Sequence, residues 1–218
     1  MNRHTSDCCA TPIRIDVREI EAYLVKPVFT RKRPLTGVGV VTGLAGTALG
    51  GTTLPVEAAR VNTLNCGFRL NGKLGDVMKE SAEISYSYVA SHLRQYGAPP
   101  AYYDMSFVHL HVPDGATPKG DSSASLTMAT ALLSLATNAK IDCPLAMTGE
   151  LTLTGQVLPV GGIREQVIAA RRTGIGELIL PDANRRDFDK LPEHIRAGLT
   201  VHFAWRHQDV AAVVFGQA

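Results

Sequence analysis

The segment TPKGDSSAS (117–125) combines residue types that could do chemistry: a polar, glycine-containing stretch that runs straight into a helix-forming run opened by serines. A serine at that point lies beside the backbone N–H groups a helix start leaves free, at the positive end of the helix dipole. Such groups hold an oxyanion or a phosphate. A plain serine N-cap would explain the pattern with no chemistry at all. To act as a nucleophile the serine needs a base from elsewhere in the fold. The run at 163–173 places Ile163, Gln166, Val167 and Ala170 on one helical face, with Arg164, Glu165 and Arg172 on the other. Gln166 is thus a polar residue aimed inward, whose amide must find partners. A buried structural glutamine is the bland alternative.

Positioning these residues takes a mixed framework. Short strands are predicted at 38–45, 52–61, 66–70 and 106–112, broken by glycines. The longest helix is predicted over 74–96, with Leu74, Val77, Met78, Ala82, Ile84, Val89 and Leu93 as its apolar face and Gly97, Pro99 and Pro100 as its stop. A helix over 122–137 follows, then strands over 145–155 and 156–160 around a Thr154–Gly155 turn. The helix at 163–173 leads to a strand at 177–180, a short helix at 184–190, a strand at 200–205 and a final helix, QDVAAVVF. Irregular alternation with hairpins predicts an α+β domain, a mixed β-sheet with packed helices. Ahead of it, residues 1–15 read as a disordered tail. Residues 16–25 read as a short amphipathic helix through Val17, Ile20 and Leu24, ended by Pro27. Segment 26–36 is a basic, proline-bounded linker. The chain therefore divides into 1–36 and a domain at 37–218.

Composition narrows the function class. The 218 residues are 45% hydrophobic and 19% charged, and the net charge is +2. That is enough chain for a real core and gives no global pull toward nucleic acid or an anionic membrane. One basic cluster, Lys26, Arg31, Lys32 and Arg33, reads as a solvated linker. No apolar run approaches a membrane span, and the polar N-terminus carries no signal-peptide core, so a cytoplasmic location is expected. Cys8, Cys9, Cys66 and Cys143 form no CxxC pair and are expected to be reduced thiols. No metal site and no cofactor are expected.

Several motifs in order then resemble the Ser–Lys proteolytic domain of Lon proteases. HLHVP (109–113), TPKGDSSAS (117–125), MTGE (147–150) and GQVLPVGGIREQ (155–166) are similar to that family's HVHVP, TPKDGPSAG, MTGE and GQVLP-GG-x-K-E-K. Upstream, GVGVVTGLAGTALGGTTLPVEA (37–58), LGDVMKES (74–81) and EAYLVKPVF (21–29) resemble further family segments, so the likeness covers about residues 17–215. It implies the Lon protease-domain fold, ribosomal protein S5 domain 2-like, and a serine endopeptidase acting on unfolded or peptide substrates. Carried over by residue, Ser123 aligns with the nucleophile and Thr148 with the threonine that bonds the catalytic lysine. His109, His111 and Glu150 frame the site, and Lys119 matches a lysine of the nucleophile loop. Gln166 occupies the position of the general-base lysine. Gly120-Asp121-Ser122 replaces Asp-Gly-Pro before the serine, and Ser125 replaces the glycine after Ser-Ala. These two departures read as natural drift that accompanies loss of the base, with an engineered substitution at 166 as the alternative.

An amide has no basicity near neutral pH, and losing such a base costs about 10²–10⁴-fold. The resemblance therefore implies a peptidase that is inactive or impaired. The alternatives are an active peptidase using Lys119, His109 or His111 as base, and a non-catalytic peptide-binding or assembly module. A remoter alternative is a kinase, because PKGDSSAS before an apolar helix also resembles the phosphate loop of the galactokinase and mevalonate kinase family. That loop's glycines are missing here. No GxxxxGK[ST] is present, so the expected partners are a separate ATPase and, weakly, a ring of copies of this chain.

Overall fold

The computed structural model describes residues 35–47, 50–113 and 122–216. They all fall in the unit Arg33–Ala218. The expected tail and amphipathic helix, Cys8 and Cys9, most of the basic linker, and Lys119, Gly120 and Asp121 lie outside the described residues.

Nine strands are described: β1 (Val40–Thr47), β2 (Gly50–Asn62), β3 (Gly67–Asn71), β4 (Phe107–His111), β5 (Leu145–Met147), β6 (Glu150–Leu151), β7 (Val157–Leu158), β8 (Glu177–Pro181) and β9 (Thr200–Ala204). Seven form one mixed sheet in the order β3-β4-β2-β1-β5-β8-β9. Only β2 runs against the rest, antiparallel to both β1 and β4; β3 with β4, β1 with β5, β5 with β8 and β8 with β9 pair in parallel. The carboxyl ends of six strands therefore share one edge, where sheets of this kind gather their functional loops. β6 and β7 form a separate antiparallel ribbon.

The helices are α1 (Asp76–His92), α2 (Ser125–Thr137), α3 (Ile163–Arg172), α4 (Arg185–Asp189), α5 (Glu193–Arg196) and α6 (His207–Phe215). Alternation along each strand sends side chains to two separate cores. Val41 and Ala45 join Leu54 and Val56, Leu145, Met147 and Ile179 in the larger one, under α1 and α2. Leu44, Ala146, Leu178 and Leu180 join Ile163, Val167, Ala170 and Ile175 in the smaller one, under α3. α2 is apolar almost all round and buried on nearly every side, as a helix sandwiched between a sheet and α1 must be. No described helix is long and apolar enough to cross a membrane.

The single strand expected at 145–155 is two. Hydrogen bonding to β1 and β8 ends near Thr148, and the chain turns at Gly149 into β6. A Cβ on Gly149 would lie 2.9 Å from Val157 Cγ1 and 3.0 Å from Leu126 Cδ2, so the turn packs where no side chain fits. The long helix expected at 74–96 is α-helical to His92 and tightens to a 3-10 turn over Leu93–Tyr96. α5 was not expected from the sequence.

Candidate active site

Ser123 sits in a 3-10 turn, Ser122–Ala124, that runs straight into α2. Its residue is fully buried. The turn is stitched to the bend after β5 in both directions: Gly149 N–H donates to the Ser123 carbonyl at 3.0 Å, and Leu126 N–H donates to the Gly149 carbonyl at 3.2 Å. The bend carries Thr148, whose N–H extends the β5–β8 ladder to the Ile179 carbonyl at 3.2 Å. By alternation from Ala146, the Thr148 side chain goes to the face that α3 covers. Gln166 comes down on that face from α3, fully buried. α3 can lie this close because a Cβ on Gly51 of β2 would sit 2.0 Å from the Glu165 carbonyl oxygen.

The Gln166 amide Nε2 donates to the Gly161 carbonyl at 3.0 Å. Its Oε1 and the Thr148 Oγ1 are buried with no hydrogen-bond partner among the described residues. Buried polar atoms left this way cost free energy. On the other side of the turn, Ser122 Oγ donates to Glu150 Oε2 at 2.7 Å. Ser125 Oγ donates to the Ser122 carbonyl at 3.0 Å and accepts Leu151 N–H at 2.7 Å. Ser85 Oγ of α1 donates to the Ser125 carbonyl at 2.8 Å.

Hydrogen bonds thus gather Ser122, Ser123, Thr148 and Glu150 at the strand ends, while Gln166 lies on α3, which covers the face to which Thr148 alternates. His109 and His111 share one face of β4, their ring centroids 6.3 Å apart. β4 is separated from β5 by β2 and β1, and His109 Nε2 and His111 Nδ1 are buried with no hydrogen-bond partner among the described residues. Cys66 and Cys143 are free, exposed thiols. No group of three or more metal-ligating side chains occurs among the described residues.

Compared with known proteins, residues 14–217 match the profile of the Lon protease (S16) C-terminal proteolytic domain. The chain belongs to this family. Its Lon relatives include Lon protease 2 of Hydrogenovibrio crunogenus, 62% identical over 201 residues, covering 92% of this chain and 23% of that protein. Lon protease 1 of Syntrophotalea carbinolica is 53% identical over 205 residues, covering 94% and 25%. Lon protease homolog 1, mitochondrial, of Arabidopsis thaliana is 46% identical over 208 residues, covering 94% and 22%. The chain spans about a quarter of the length of these Lon proteins. The mixed sheet and packed helices agree with the Lon domain fold expected from the motifs.

Two buried polar residues near these groups were not singled out from the sequence. Ser125 reads as drift, whereas its hydroxyl satisfies a buried N–H of β6. Asn184 falls at the start of the segment expected to be a short helix, 184–190. An asparagine just after a strand, with an aspartate three residues on, is the one signal that could have singled it out.

Proposed function

We propose that this chain is a Lon-type serine peptidase domain with Ser123 at the nucleophile and Gln166 at the general-base position, so that hydrolysis of peptides is lost or severely impaired. The reaction needs the Ser123 Oγ to bond to the peptide carbonyl carbon while its proton moves to a base, and then the C–N bond to break as the amine takes that proton. The carrying observation is the state of Gln166: a buried amide already donating to the Gly161 carbonyl, with no basic lone pair to offer. A lysine there would be held neutral by burial, and Thr148 supplies a hydroxyl on the same face to orient it. Unstructured peptides are the substrate class the resemblance supports.

The test is cleavage of an unstructured peptide by the chain as it stands, by Gln166→Lys and by Ser123→Ala. Silence from the unmodified chain and a serine-dependent gain of about 10²-fold or more in Gln166→Lys are expected, the usual worth of a positioned base. Serine-dependent turnover by the unmodified chain would mean that another residue serves as base.

A further inference from the structure

Val160, Gly161 and Gly162 form the turn that delivers α3, and the Gly161 carbonyl is the one on which the Gln166 amide rests. Paired glycines have little conformational preference of their own, and Gly162 stands at φ 70°. Gln166 holds both glycine carbonyls, through its N–H to Gly162 and its Nε2 to Gly161, and a side chain from outside the turn holds Val160. Val160 N–H donates to Asn184 Oδ1 at 2.9 Å, while Asn184 Nδ2 donates to the Val160 carbonyl at 3.0 Å. The amide docks on Val160 as a neighbouring strand would. Its other N–H goes to Asp187 Oδ2 at 2.9 Å. Asn184 is 3% exposed, and this donor–acceptor set fixes which way its amide faces.

We propose that Asn184 is a positioning residue for the side chain at 166, acting through the Val160–Gly161 turn. Its catalytic meaning rests on the reading of position 166 as the base site; the hydrogen-bond relay itself does not. The turn is anchored at Val160, which sets the direction of the adjoining Gly161 carbonyl, and that carbonyl sets where the 166 side chain ends. Asn184 lies in the turn that follows β8, the strand that also receives Thr148 N–H. One connection therefore joins the turn that delivers α3 to the strand that receives Thr148 N–H.

The test uses the intact chain and does not depend on hydrolysis. Exchange of the Gln166 side-chain amide protons is followed by NMR, with backbone amides in the middle of α2 as control. In Asn184→Ala the Gln166 amide is expected to shift and to exchange at least about tenfold faster, the equivalent of one lost hydrogen bond, while the α2 amides keep their rates. Should that variant not fold, the isosteric Asn184→Asp serves: it keeps the acceptor for Val160 N–H, loses the donor to the Val160 carbonyl, and should move the Gln166 amide the same way. A folded variant with an unmoved Gln166 amide overturns the proposal. A silent Gln166→Lys beside a shifted Gln166 amide would sink the peptidase reading and leave the role of Asn184 standing; an active Gln166→Lys beside an unmoved amide would do the reverse.

Discussion

Position 125 shows how a hydroxyl can look like drift in a sequence and act as a tie in a structure. Leu151 N–H is buried at the end of a two-residue strand and reaches the Ser125 Oγ at 2.7 Å, so Ser125→Ala strands that donor. The expected cost is about 1–3 kcal/mol, read as a lower denaturation midpoint at unchanged slope in urea. An unchanged midpoint would mean that Leu151 finds another acceptor. Gln166 was legible earlier because helical spacing alone aims it inward. The partners of Ser122 and Ser125 were not, because Glu150 and Leu151 come from a strand whose two-residue length follows from the break at Gly149, a packing fact with no sequence period.

The packing of α3 against β2 depends on a missing Cβ. With 2.0 Å between an added Cβ at Gly51 and the Glu165 carbonyl oxygen, backbone would have to move, since no flexible side chain is there to yield. Gly51→Ala should destabilise the fold by at least about 2 kcal/mol, as overpacked sites do, with the largest chemical-shift changes along α3. Shifts confined to β2 would count against this. At the far end of the chain, α6 is held through His207, which is buried with Nδ1 2.9 Å from Tyr96 Oη and Nε2 3.3 Å from Thr130 Oγ1. Burial, with a smaller effect from His92, lowers the His207 pKa to about 3. The unfolded chain takes up this proton below about pH 6.5 and the folded chain only near pH 3, so stability falls as pH drops between them. From pH 7.5 to 4.5 the loss from this group is about 2–3 kcal/mol. Urea titrations of the chain and of His207→Gln should show the variant losing that much less over the interval; parallel losses would remove His207 as the cause. The strands and long helices were readable from periodicity, but this buried histidine was not, because nothing local to HQDV distinguishes it from a surface cap.

The described domain combines a seven-stranded sheet with one reversed strand, a separate two-stranded ribbon and two unequal cores. Native-state hydrogen exchange should resolve them: amides of α3 and β9 are expected to open at lower free energy than those in the middle of α2, since elements with fewer apolar neighbours open first. Equal opening energies would show a single cooperative unit. The turn bearing Ser123 is fastened to the large core through α2, whereas Gln166 is carried by α3, whose Ile163, Val167 and Ala170 pack in the small one. A change of side chain at 166 therefore leaves most of the architecture untouched. The two positions on which hydrolysis would depend are thus carried by helices packed on different cores, so each can be altered with its own core left in place.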